Sequence, residues 1–427
     1  MKKLALNFIC KNERPVIERM LRSALPVTDL IVVNDTGSTD GTQDLIRRFG
    51  EKHNIPTYVF ERPFDDFGSS RQYALDMLKQ LVAGMGWPLE SVWGFWIDCD
   101  ERLILSKEFD RSKIDKDLHL VMTHDGNARY LKTLFFRLSV SFQWVGPIHE
   151  TLLSPRQDLV TEILDEAHVV YTSEGHSWKG DLSEKYKHYA AVLEGYSQQD
   201  SAPRWVFYCA QSYMAAANYI KDDAGKRRCW RKAEEFYARR VAMQDENNNE
   251  QYFSQYQLAL IASYLGATWV NTKKLLLEAY YMSPKRGEAF QEIIHYYFER
   301  KDWRLAYFYS SFTINTFHGK VPAGENLLFL DESLYRWRFL FTHYLICRGC
   351  GETTEAKACY EQLMGLVAEK REFFQRADLR LIFRQSPALL NLHETLDRFK
   401  ERIGLNLSPN KRSLLPGFSG AVASIPA

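Results

Sequence analysis

Nowhere in its 427 residues does the chain carry the ~20 uninterrupted apolar residues that a membrane-spanning helix needs, which excludes such a helix. Charge of one sign is not in excess either: 55 Lys and Arg face 54 Asp and Glu, a formal net charge of +1. A dedicated nucleic-acid binder carries a basic surplus over a whole domain, so that class loses weight, although a nucleic-acid substrate stays open. Cysteine is sparse and odd in number. The seven, Cys10, Cys99, Cys209, Cys229, Cys347, Cys350 and Cys359, are scattered and do not read as a disulfide framework. The lone CxxC, Cys347-Arg348-Gly349-Cys350, has no second pair and no histidine pair close by, as a zinc site would want, and reads as two half-buried helix cysteines. The opening Met1–Cys10 is only superficially like a signal peptide, because its apolar run is short and meets Lys11-Asn12-Glu13. These absences lead to the expectation of a cytoplasmic chain.

What is present is enough apolar residue, 45%, against 26% charged, for a folded globular protein, and a length that implies two or three domains. The first part alternates in period. Leu4–Cys10 and Leu30–Val33 are apolar runs of the buried parallel-strand kind. Thr57–Phe60 and Val92–Ile97 are two further strands, and Pro15–Leu25, Thr42–Lys52 and Ser69–Leu81 carry helical spacing between them. Strand–helix alternation at this pace predicts βαβ units and a mostly parallel, Rossmann-like sheet over residues 1–180.

After about Asp181 the helical period takes over. Helices are expected at Arg204–Ile220, Arg227–Met243, Gln251–Leu265, Asn271–Met282, Glu288–Arg300 and Trp303–Asn315. Ser263-Tyr264-Leu265-Gly266 fits a turn inside a helix pair, and Leu277-Glu278-Ala279-Tyr280 followed by Ser283-Pro284 fits the end of a tetratricopeptide-like unit. Residues 181–405 are therefore expected to form an all-helical repeat domain, and 406–427, rich in Pro, Gly and Ser, a flexible tail.

Two strand ends carry chemistry. Val32-Val33-Asn34-Asp35-Thr36-Gly37-Ser38-Thr39-Asp40-Gly41-Thr42 is a buried strand ending in a carboxylate, then a polar turn, then a helix. In an open α/β sheet that position meets ligand, although turn chemistry and an Asp40 helix cap account for the same residues. Trp96-Ile97-Asp98-Cys99-Asp100-Glu101 ends an apolar strand in two carboxylates one residue apart. Such a pair suits one hard divalent ion, Mn²⁺ or Mg²⁺, shared with a diphosphate, although a solvated acidic turn has the same sequence.

Together with Lys11-Asn12-Glu13, these segments resemble family 2 glycosyltransferases of the GT-A fold. The resemblance extends to Asp65-Asp66-Phe67-Gly68-Ser69-Ser70-Arg71 and to Trp144-Val145-Gly146-Pro147-Ile148-His149-Glu150, which is similar to the W-x-G-x-(V/I)-H-E element near the acceptor site. Phe207-Tyr208-Cys209-Ala210-Gln211-Ser212-Tyr213 resembles the repeat region often fused to this branch, and the whole layout is similar to bacteriocin-peptide S-glycosyltransferases.

The resemblance implies a nucleotide-sugar donor, by expectation a UDP-sugar, and a divalent metal. It assigns Glu13, Asp35, Arg71 and Asp98 to the nucleotide-sugar, Asp98 and Asp100 to the metal, and Glu150 with His149 to catalysis. A third metal ligand falls at His176, later than the family places it, with His168 as the other candidate. Transfer is expected to invert the anomeric centre, with Glu150 as base. The acceptor is left open among a peptide, a glycan precursor and a modified base in DNA, and a homodimer through the helical domain is a further expectation. The alternative from another class is an inactive transferase-like scaffold that binds proteins through its helical repeats.

Overall fold

The computed structural model describes residues 2–386 except 127, 244–247 and 323–326. The predicted tail at 406–427 and the end of the predicted helical domain lie outside the described residues.

The first part is a Rossmann-like α/β layer structure. β1 (Lys3–Cys10) is followed by α1 (Ile17–Ala24), β2 (Leu30–Asp35), α2 (Thr42–His53), β3 (Thr57–Glu61), α3 (Phe67–Gly84) and β4 (Val92–Phe95). Six more strands follow: β5 (Glu101–Leu105), β6 (Leu118–Asp125), β7 (Ala128–Arg137), β8 (Gln143–Val145), β9 (Thr151–Leu153) and β10 (Thr161–Tyr171). The main sheet runs β3-β2-β1-β4-β7-β6-β10-β5, and β8 and β9 form a separate hairpin. β1, β2, β3 and β4 are mutually parallel, β10 is parallel to β6, and the β4–β7, β6–β7 and β5–β10 pairs are antiparallel.

The continuous apolar runs predict strands buried on both faces, and the structure has them so. Leu4, Leu6 and Phe8 point to one face with Ile17, Met20, Leu21, Ile46 and Phe49, while Ala5, Leu30 and Val32 point to the other with Leu75, Leu78 and Val82. Truncating one of these leucines to alanine costs about 2–5 kcal/mol. Asn7 is the polar exception inside this core. Its Nδ2 donates to Val32 O at 3.1 Å and Ala74 O at 2.9 Å, tying β1 to β2 and α3 at no cost in unmade hydrogen bonds.

Among the described residues the last strand ends at Tyr171, and helices follow. α4 (Leu182–Gln199), α5 (Pro203–Tyr219) and α6 (Asp223–Ala242) come first, then α7 (Asn248–Leu265), α8 (Trp269–Met282), α9 (Glu288–Glu299) and α10 (Trp303–Thr316). α11 (Phe339–Cys350), α12 (Thr353–Glu369) and α13 (Arg376–Arg384) complete the set. From α7 to α12 each helix packs against the next. The predicted turn after Leu265 is an αL cap: Gly266 has φ +89°, and Ala267 N reaches back to Ala262 O at 2.8 Å.

By its contacts the chain divides into two compact units, one running to Asp245 and the other starting at Glu246. The change of secondary structure at about residue 181 and the division between units thus fall at different places, because α4, α5 and α6 cluster with the sheet. Among the described residues no helix is long and apolar enough to cross a membrane.

Candidate functional site

β1 is bonded to β2 on one side and to β4 on the other, so the connections leave it in opposite directions. That is the switch point of an open α/β sheet, where a crevice forms beyond the carboxyl ends of the strands. A cleft of about 210 Å³ lies there. Glu13, Arg71, Asp98, Asp100 and His176 all line it. The sequence places these five in four separate segments, and the fold brings them together.

Each is held by its neighbours. Glu13 follows β1 and its Oε1 accepts the amide of His176 at 2.9 Å, while Oε2 is buried without a partner. Burial raises its pKa to about 7; the His176 amide pulls the other way and the charge of Asp100 adds to the rise. Asp100 is buried, and its Oδ2 accepts the amide of Gly175 at 3.2 Å. Its pKa is pushed up to about 6, first by burial and then by Asp98. An alanine methyl at Gly175 would stand 3.0 Å from Asp100 Oδ2 and 3.2 Å from Glu13 Oε1, so a side chain there would crowd both carboxylates. Glu101 closes the acidic turn from beneath. It is fully buried, paired with Lys132 at 2.5 Å, and accepts the amide of Asp98 at 2.8 Å.

Arg71, the fifth residue of α3, is the hub. Its Nη2 donates to Asp98 at 2.6 Å and its Nε to Glu150 at 2.5 Å, and its guanidinium lies 4.5 Å from the ring centre of Trp96 and 5.3 Å from that of Trp144. Burial alone would lower its pKa; Asp98 and Glu150 more than offset that and raise it. Nη1 is buried and unpartnered, as is Glu150 Oε2. The two motifs that supply Arg71 and Glu150 lock together through backbone: Phe67 N donates to Pro147 O at 3.1 Å, and a methyl on Gly68 would meet Gly146 O at 2.3 Å. Asp66 caps α3, accepting Ser69 N at 2.7 Å.

The other expected residues stand elsewhere. Asp35 is fully buried at the end of β2 and does not line the cleft; Thr36 does. Its Oδ1 accepts from Gly37 N, Ser38 N and Gln43 Nε2 at 2.7–3.0 Å, and its Oδ2 from the Cys10 thiol at 3.3 Å. Burial would raise its pKa, but the bonds from Ser38, Gln43 and Gly37 win and hold it low. In this structure Asp35 organises the NDTGSTDGT turn. Asp40 accepts Thr42 N at 3.0 Å at the start of α2. His149, at φ +56°, is buried and stacked on Tyr208 at 4.2 Å. His168 is stacked on His124 at 4.8 Å in the sheet and is not part of the cleft lining.

Asp98, Asp100 and His176 share the cleft, but their ligand atoms are not gathered within 4.8 Å of one another. The fit to a divalent cation rests on chemistry. Three carboxylates face one cleft, two with pKa raised first by burial and further by neighbouring carboxylates (Asp100 beside Glu13, Asp98 beside Asp100), and one buried oxygen of Glu13 has no donor. A hard cation answers that charge. Arg71 Nη1 is the matching donor for an anion.

Sequence reasoning misses Lys185. It lies on α4 against the rings of Trp178, Tyr186 and Tyr189 at 4.7–5.4 Å. Burial lowers its pKa to about 8, and Asp100 pulls it back up. Nothing in the local sequence marks it, because a single lysine on a helix reads as solvated surface.

A scan against known protein families finds no match. A lipopolysaccharide core biosynthesis glycosyltransferase, LpsC, of Rhizobium meliloti (strain 1021) is 29% identical over 100 residues, 23% of this chain and 32% of that protein. The chain thus spans about a third of the length of this curated relative. Among solved structures, S. aureus TarS is similar at a TM-score of 0.33 and 14% identity, covering 61% of this chain and 54% of that one. S. aureus TarS 1-349 in complex with UDP is similar at 0.30 and 12%, covering 64% and 83%. Likenesses as distant as these two carry no argument about function.

Proposed function

We propose that this protein is a glycosyltransferase that moves a sugar from a nucleotide-diphosphate donor, a UDP-sugar by preference, to an acceptor, with inversion. The catalytic work falls to residues 1–180, and the helical repeats from 181 serve the acceptor. The observation that carries the reading is the convergence of Glu13, Arg71, Asp98, Asp100 and His176 on one cleft at the β1/β4 switch point. The name of LpsC points the same way.

In this reading Glu13 binds the nucleotide, with Asp35 keeping the neighbouring turn in shape. Asp98 and Asp100 would hold Mn²⁺ or Mg²⁺, with His176 as a further ligand, and such an ion would supply positive charge to offset that on the leaving diphosphate. Arg71 orients Asp98 and Glu150 at once and offers Nη1 to the anion. The acceptor oxygen or sulfur attacks the anomeric carbon, the carbon–oxygen bond to the diphosphate breaks, and the bonding pair leaves on the diphosphate. The acceptor proton passes to Glu150, which stands behind the cleft lining and is joined to it through Arg71, and whose Oε2 is the unpartnered oxygen. Trp144 and His149 hold the segment that carries Glu150.

The test incubates the intact chain with a panel of nucleotide sugars and Mn²⁺ and measures free nucleotide. Release that depends on one donor, on metal and on Asp100 supports the reading. A chain that binds no nucleotide sugar and releases no nucleotide from any of them refutes it, and favours the scaffold.

A further inference from the structure

Far from the cleft in sequence, α11 and α12 each carry two metal-ligand residues four apart. His343 and Cys347 lie on one face of α11, and Glu355 and Cys359 on one face of α12. The turn at Gly351, φ +82°, folds one helix onto the other. The ligand atoms of His343, Cys347 and Glu355 all lie within 4.8 Å of one another; Cys359 follows Glu355 by one turn on the same face of α12 and stands outside that set. Both thiols and the imidazole are buried, while Glu355 is partly open to solvent.

The hydrogen bonds around the cluster pose a question of charge. Ser310 Oγ donates to Tyr307 O at 3.1 Å, so it accepts from His343 Nδ1 at 2.8 Å. In the neutral imidazole Nε2 then carries the lone pair, and it faces Glu355 Oε1 at 3.0 Å and Cys347 Sγ at 3.5 Å. The other oxygen of Glu355 accepts from Tyr307 OH at 2.6 Å. A nitrogen lone pair set against a carboxylate and a sulfur takes up a cation, either a proton or a metal ion shared by all three. Tetrahedral zinc, with bonds of about 2.0–2.1 Å to nitrogen and about 2.3 Å to sulfur, puts those two atoms about 3.5 Å apart. The observed Nε2–Sγ separation is 3.5 Å. Ser310 and Tyr307 already stand where outer-shell partners of a ligating histidine and carboxylate belong.

We propose that His343, Cys347, Glu355 and Cys359 form a structural zinc site that pins α11 to α12. Two thiolates, an imidazole and one carboxylate select zinc over magnesium, calcium or manganese, and four protein ligands close the site to catalysis. The CxxC of the sequence is not the site: Cys350 Sγ donates instead to Trp303 O at 3.5 Å. The pattern is H-x3-C on one helix and E-x3-C on the next.

The experiment equilibrates the intact chain with zinc, removes free metal by gel filtration and measures bound zinc by elemental analysis. The expected result is about one zinc per chain that Cys347→Ser/Cys359→Ser loses and Cys350→Ser keeps. Wild type holding no more zinc than the double variant overturns the proposal. Should the double variant not fold, cobalt decides on wild type alone. Co²⁺ gives the visible bands of a tetrahedral site with a thiolate charge-transfer band, and these persist in Asp100→Asn, which separates them from the cleft. Their absence, or their loss in Asp100→Asn, overturns the site. So does a thiol titration of the unfolded, unreduced chain that finds Cys347 and Cys359 joined in a disulfide.

Discussion

Asp100→Asn is expected to stabilise the metal-free protein while abolishing turnover. The carboxyl is buried beside Asp98, and its pKa rises from an ordinary 3.8 to about 6. That difference of about 2.2, at about 1.36 kcal/mol for each pKa unit, gives about 3 kcal/mol as an upper bound; water reaching the cleft reduces it to about 1–3 kcal/mol. Because the folded value lies above the unfolded one, the folded chain holds the proton longer. The destabilising contribution is therefore absent below about pH 3.8, grows as pH rises to about 6, and is constant beyond it. Asparagine keeps the size and still accepts the Gly175 amide, yet carries no charge. Denaturant melts of the intact chain without metal should show the variant ahead of wild type at pH 7.5 and level with it near pH 4. Added Mn²⁺ should then stabilise wild type and leave the variant unmoved, since only a state that binds the ligand gains from it. A variant less stable than wild type at pH 7.5, or a gap that does not change with pH, would refute the account of Asp100 as a strained carboxylate waiting for a cation.

Glu150→Gln should lower turnover by about 10²–10⁴ with nucleotide affinity nearly unchanged, as calorimetry beside a turnover assay would show; lost affinity at constant kcat would move Glu150 to the donor side. Arg71→Ala leaves the buried carboxylate of Glu150 and the half-buried one of Asp98 without their cation and should cost about 3–5 kcal/mol in denaturant melts. A loss under about 1 kcal/mol, the worth of an exposed pair, would contradict the hub described for Arg71. Gly175→Ala crowds Asp100 and Glu13 and should raise the Mn²⁺ concentration needed for half-maximal nucleotide release; an unchanged value would show that the segment yields freely.

The elements that local periodicity determines are legible in the amino-acid sequence. β1 to β4, α1 to α3 and α5 to α10 stand within a few residues of where apolar spacing, caps and glycines put them, because those signals act over one or two turns of chain. The pair Asp98 and Asp100 and the segment carrying Arg71 are legible for the same reason: they sit at strand and helix ends. β5 to β10 are not. Their residues pair with strands far away in sequence, and a strand's preference is decided by the neighbours it packs against.

Tertiary structure alone decided which polar residues meet. It turned Asp35 inward to three N–H donors, set Arg71 between Asp98 and Glu150, and drew the amides of Gly175 and His176 onto Asp100 and Glu13. It also joined His343 and Cys347 to Glu355, a set that the spacing of cysteines could not reveal because part of it lies on another helix. The physical reason is common to all of these. Hydrophobic period is a property of one segment, whereas the charge and reach of a buried side chain depend on whatever distant segment the fold sets beside it.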